Sequence, residues 1–114
     1  PVLGPVTAVH PEHPDAGAEL FAAADHLERT EHGLGHALFS VVADAIVSIE
    51  EYPDGWPPLP GWDREPLVRS KGTKRFHYRV VYFVHEGEPV ILAYAHEKQR
   101  PGYWKHRFDD MLGT

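Results

Sequence analysis

Residues 74–107 read KRFHYRVVYFVHEGEPVILAYAHEKQRPGYWKHR, and this stretch decides the fold. Phe76, Tyr78, Val80, Tyr82 and Val84 occupy every second place, the period of a strand with one face on a core. The spacing predicts a strand over 75–84 whose other face begins Arg75, His77, Arg79 and turns apolar at Val81 and Phe83. Glu86-Gly87-Glu88-Pro89 supplies a turn and 90–95 reads as a buried return strand, so the two runs form a hairpin. With an even number of loop residues, Arg79 shares a face with Tyr94 and His96. With an odd number it lies with Ala93, Ala95 and Glu97, and His96 turns to the core. The tail that follows, 96–107, holds two His, two Lys, two Arg, one Tyr and one Trp. A basic half-face beside a basic aromatic tail is an unusual thing to build for stability alone.

Upstream of this stretch the period changes. Ala16, Leu20, Ala23, Ala24 and Leu27 recur at helical spacing, predicting a first helix that starts near Pro11 or Pro14 and ends near Glu31. Gly33 and Gly35 mark a tight connection. Leu38, Val41, Val42, Ala45 and Ile49 then predict a second helix over 34–51, stopped by Pro53. Two such helices on a short link make an antiparallel hairpin over about 14–51. The segment DGWPPLPGWD at 54–63 is too rich in Pro and Gly for regular structure, and Trp56 and Trp62 read as covers on the core edge. Residues 6–9 and 65–69 are weaker strand candidates, the second confined by Pro66 to an edge or a strand start. The expected fold is α+β: a helical hairpin packed on one face of a three- or four-stranded antiparallel sheet, the sheet and basic tail spanning about 65–107. The opposite face is expected to be partly open.

At 114 residues the chain is one domain, 1–114, with room for a single modest core. It has no cysteine, hence no disulfide, thiolate metal ligand or cysteine nucleophile. Its apolar runs are too short for a membrane span or a signal peptide, so a cytoplasmic protein without a membrane partner is expected. It opens on Pro rather than Met, as expected of a trimmed or partial chain. The net charge of −6 conceals an asymmetry. Residues 1–63 hold one arginine against eleven acids, a balance of −10, while residues 64–114 hold ten Lys and Arg against six acids, a balance of +4. The acids read as solvated helix faces and the basic half as the functional pointer.

The run RVVYFV, the run VILAYAH and the tail KQRPGYWKHR resemble the RelE/ParE superfamily of toxins from type II toxin–antitoxin modules, a group tied to plasmid stabilization. The Ala-His…Arg-Pro-Gly-Tyr-Trp ending is the most specific piece and is similar to the ParE-like branch. The resemblance covers about residues 6–107 and implies two helices followed by an antiparallel sheet. It implies a growth-inhibiting toxin partnered by a cognate antitoxin. Within the superfamily stand ribosome-dependent endoribonucleases, which engage the ribosome and mRNA, and non-enzymatic inhibitors of DNA gyrase. A decayed toxin that retains antitoxin binding alone is a third possibility. The nuclease pattern uses strand and tail Arg, Lys and Tyr residues, with His in some relatives. Arg79 matches its strand arginine and Tyr103 its tail tyrosine. Its second arginine has no clean equivalent here, falling on Glu97, Gln99 or Arg100, and its lysines are loosely met by Lys71 and Lys74.

Metal-independent RNA cleavage needs a base for the 2′-hydroxyl, positive charge on the phosphate in flight and an acid for the leaving oxygen. Arginine suits the second role through its planar fork and permanent charge, and histidine the first or third through its near-neutral pKa. The candidate catalytic residues are Arg79, His96 and Tyr103, with Arg75, His77, Lys98 and Arg100 binding substrate. Against this, Arg75 and Arg79 can equally be partners of helix acids or of the acidic antitoxin segments that the resemblance implies, His96 a hydrogen-bonded strand end, and Tyr103 a packing element. Neither metal nor cofactor is expected: His10 and His13, and His32 and His36, have usable spacings, but no acid–His cluster completes either pair.

Overall fold

The computed structural model describes residues 10–112. Helix α1 (Pro14–Thr30) begins with Pro at its first position, and the His13 ring caps it by accepting the Asp15 N–H at Nδ1 (3.1 Å). Helix α2 (Leu34–Glu51) starts just after Gly33, which turns the chain at φ 95°. Glu28 near the end of α1 accepts the N–H groups of Gly33 and Gly35, and these bonds hold its carboxyl below the usual carboxylate range. Gly35 lets the helices close, since a Cβ there would lie 2.7 Å from the Ala24 carbonyl oxygen.

Three antiparallel strands follow in the order β1 (Val68–Gly72), β2 (Tyr78–His85), β3 (Glu88–His96). One sheet face packs Val80, Tyr82, Ile91 and Tyr94 against Leu20, Leu38, Val42 and Ile49 of the helical hairpin. The other face is also covered over much of its length. Val68, Val81, Phe83, Leu92 and Ala93 pack under Trp104 and under Phe108 of a short helix α3 (His106–Leu112). The second face, expected to be partly open, is thus covered over Val68, Val81, Phe83, Leu92 and Ala93. Its open part is confined to the end of the sheet where β2 begins and β3 ends.

The expected strand over 75–84 starts three residues late. Phe76 (φ 73°) and His77 (φ 60°) adopt the left-handed conformation, so residues 73–77 form a loop held by Thr73, whose Oγ1 bonds Tyr78. The weak strand candidate at 65–69 is realised as β1, shifted toward Gly72, and the candidate at 6–9 lies outside the described residues. Trp56 and Trp62 cover the core edge, their indole N–H groups bonded to the Ser48 and Pro66 carbonyls.

The chain lines both edges of its own sheet. Pro11 and His13 exchange backbone bonds with Ile91 of β3 (both 2.9 Å), and Leu59 donates to Val68 of β1 (2.8 Å). On the β1 side this cover ends at Ser70, whose N–H reaches Pro57 at 3.4 Å.

Candidate functional site

The β2–β3 loop has two residues, Glu86 and Gly87, both at positive φ (52° and 80°). A two-residue turn of this kind matches the twist of the strands it joins. By parity alone it would set Arg79 opposite Tyr94. A bulge intervenes: Tyr82 pairs with Ile91 but Val81 with Ala93, leaving Leu92 unmatched. Beyond it Arg79 pairs with Ala95 and Tyr78 with His96. Arg79 and His96 therefore belong to opposite faces.

Arg79 lies across β1. Its Nε donates to Ser70 Oγ at 2.8 Å and its Nη2 to the Ser70 carbonyl at 3.4 Å. Its Nη1 stands 3.0 Å from where a Cβ on Gly72 would be, so the missing side chain makes room for the guanidinium. Arg29, Arg64 and Arg107 pair with Asp25, Asp109 and Glu19, whereas no carboxylate pairs with Arg79 among the described residues. The reading of Arg75 and Arg79 as partners of helix acids therefore finds no counterpart here. A half-buried guanidinium held only by a neutral serine keeps its charge available to an incoming anion.

Arg79 opens into a cavity of about 170 Å³ that Ser70, His96, Gln99, Arg100 and Tyr103 also line, with apolar walls from Leu59, Val81 and Trp104. His96 reaches it from the strand end, where its Nδ1 accepts the Lys98 N–H (3.1 Å) and its ring meets Tyr78 edge-on at 4.9 Å. That bond leaves Nε2 to carry the proton of the neutral ring. The Tyr103 ring lies 5.3 Å from the Arg107 guanidinium, and its hydroxyl is buried with no hydrogen bond closed. Burial, and then the nearby Glu19 carboxylate, push this phenol far above its ordinary pKa. A phenol so placed holds its proton, which weakens Tyr103 as an acid in catalysis.

Of the seven candidates, four share this cavity: Arg79, His96, Arg100 and Tyr103. The other three lie outside it. Arg75 stacks on Phe76 (4.6 Å) in the 73–77 loop, His77 approaches Glu97 (3.6 Å), and Lys98 is exposed. Ser70 and Gly72 went unread as site residues in the sequence, and Gln99 entered only as a possible place of the family's second arginine. The first two become visible once β1 and β2 are registered, since Gly72 faces Arg79 and Ser70 faces Val81. Gln99 accepts the His96 N–H at 2.7 Å and closes the turn that sets Arg100 on the rim.

Three of the four histidines in the two metal-like spacings are engaged elsewhere. His10 meets Glu50 (2.6 Å), His13 meets Asp110 (2.9 Å) and His32 meets Glu28 (2.9 Å). Among the described residues no three His, Cys, Asp or Glu side chains converge as a metal site. No helix among them is long and apolar enough to cross a membrane.

The chain matches no family model, no curated protein and no solved structure.

Proposed function

We propose that this chain is the growth-inhibiting toxin of a type II toxin–antitoxin module and cuts mRNA on the ribosome as a RelE-like endoribonuclease. The observation that carries the reading is Arg79, a guanidinium without a carboxylate partner among the described residues, held on Ser70 in a cavity that Arg100 also lines. Charge developing on the phosphate during cleavage is stabilised best by a donor already in place, which spares reorganisation at the moment of reaction. His96, with Nε2–H as its neutral form, would donate to a substrate oxygen from the cavity wall. The antitoxin finds little free sheet edge, because 11–13 and 57–59 line both sides. The exposed Phe21, edge-on to Phe39 at 5.6 Å on the helical hairpin, and the exposed Val47 of α2 offer it apolar surface.

A second reading is a non-enzymatic ParE-like inhibitor of DNA gyrase. Two observations favour it: the Tyr103 hydroxyl is buried, and His96 belongs to the face opposite Arg79, so the acid–base set is incomplete around one phosphate.

Induced expression of Arg79→Ala tests the first reading. The variant is expected to lose toxicity, with a cleavage defect equivalent to about 2–4 kcal/mol by analogy with a lost oxyanion donor. Its thermal stability should stay level or rise slightly. A folded, fully toxic variant would overturn the assignment of this cavity.

A further inference from the structure

The bulge in β3 is met from outside the sheet. Ile91 and Tyr94 face the helical hairpin, while Leu92 and Ala93 both pack under Trp104 and Phe108, two neighbours on one side where an unbroken strand alternates. The outer edge of β3 bonds Pro11 and His13 at Ile91. Beyond Ile91 that edge is served by two side chains. Arg107 Nη1 donates to the Leu92 carbonyl (3.0 Å), and Glu19 Oε1 accepts the Tyr94 N–H (3.3 Å). The same side chains pair with each other, Nη1 to Oε1 at 3.1 Å and Nη2 to Oε2 at 2.9 Å. A donor on the carbonyl and an acceptor on the N–H are what the backbone of an adjoining strand would present. The buried Arg107 guanidinium also lies 5.3 Å from the Tyr103 ring, which lines the Arg79 cavity. Its Nε is buried with no hydrogen bond among the described residues, a loose end that a pair kept for stability alone gains nothing from.

We infer that Glu19 and Arg107 are positioning residues: their pair stands in for a neighbouring strand across the bulge, fixes the register in which Arg79 faces Ala95, and so sets the wall of the Arg79 cavity. The inference rests on reading that cavity as the reacting site, and it adds two residues that act through others. The two-residue turn at Glu86 and Gly87 by itself favours the unbulged register, with Arg79 opposite Tyr94. In that register residues 93–96 change faces. Ala95 leaves the cavity, and Tyr94 leaves the core beneath the hairpin together with its bond to Glu12. The bulged register has its own requirement, because Leu92 is unmatched on β2 and its buried carbonyl needs a donor from outside the sheet. Arg107 is that donor, and the bidentate grip of Glu19 holds its fork in one orientation.

Nuclear magnetic resonance of the β2–β3 hairpin tests this, with cleavage on mRNA-programmed ribosomes as the second readout. In the parent, the Tyr94 amide should exchange slowly and Arg79 should show cross-strand contacts to Ala95. Arg107→Met/Glu19→Gln keeps an acceptor for the Tyr94 N–H but leaves the Leu92 carbonyl without a donor, and neutralising both partners together spares the fold. This variant should lose the Arg79–Ala95 contact. Its kcat should fall about a hundredfold with a smaller change in KM, the mark of misplaced groups rather than lost binding. Arg107→Lys, which retains the charge and a donor, should keep the contact and most of the rate. A neutral pair that retains both contact and rate overturns the inference. So does loss of the contact at an unchanged rate when Arg79→Ala is inactive. Loss of the contact at an unchanged rate, with Arg79→Ala equally active, overturns the nuclease reading and leaves the register role standing. Where the neutral pair fails to fold, the parent and Arg107→Lys decide. A slow Tyr94 amide with the contact retained supports the role, and exchange as fast as at the exposed Lys74 and Arg75 overturns it.

Discussion

Arg79 stands in a run whose next four residues, Val80 to Phe83, are all buried. Its charge is kept there by a neutral hydroxyl and by the space over Gly72. Gly72→Ala would press a methyl group on Nη1 at 3.0 Å and move the guanidinium without touching the core. It is expected to reduce toxicity by less than Arg79→Ala does, with an unchanged thermal midpoint, because small displacements of a positioning charge are felt in rate before stability. Glu12 makes a separate prediction. Its carboxylate accepts the Tyr94 hydroxyl (2.7 Å), yet burial outweighs that bond and raises its pKa. A raised carboxyl pKa means that the folded state binds more protons than the unfolded one. The stability from this group is present below the unfolded pKa and is lost as pH rises through the folded value. Glu12→Gln, which can still accept from Tyr94, should therefore be more stable than the parent at neutral pH. Urea titrations across pH should show that advantage shrinking as the solution is acidified. An advantage that instead grows toward acid would contradict the assignment.

Among the elements, the two long helices were legible to within a residue because their punctuation is chemical: Pro14 opens one, Gly33 separates them and Pro53 follows the second. The start of β2 was not. Alternation continues through Phe76 while the backbone leaves the strand, since side-chain polarity does not report φ at Phe76 and His77. The bulge at Leu92 was equally silent, and it is what separates Arg79 from His96. The Arg79 half of the site could be read as an odd charge in an apolar run, whereas Ser70 and Gly72 enter only through the β1–β2 register. Helix α3 has seven residues, too few for periodicity to stand out, although Phe108, Met111 and Leu112 hold the right spacing. It is pinned through Arg107, which makes a bidentate pair with Glu19 of α1 (3.1 and 2.9 Å) and bonds the Leu92 carbonyl. Removing one partner strands a buried charge, so Glu19→Ala should cost about 3–5 kcal/mol in urea unfolding. A loss near zero would mean that α3 is held by Phe108 and Trp104 alone.

At the scale of the whole molecule, an acidic helical hairpin backs a sheet end whose cations, Lys71, Lys74, Arg75, Arg79, Lys98 and Arg100, have no carboxylate partners among the described residues. The net charge of −6 therefore does not describe the surface a partner meets. Local fields of one sign steer an oppositely charged partner even when the total charge is unfavourable. Growth arrest should accordingly be relieved by charge reversal at Lys71 and Lys74, with no change in far-ultraviolet circular dichroism. On the proposed toxin reading, the same arrest should be suppressed by co-expression of the protein encoded beside this chain. The most direct test is to induce the protein in cells, with the Arg79→Ala variant in parallel, and to map ribosome-bound transcript ends and DNA double-strand breaks in the same cultures. The nuclease reading predicts new transcript ends within minutes of induction, absent in the variant, with DNA left intact. Double-strand breaks without new transcript ends would contradict it and assign the chain to the gyrase inhibitors.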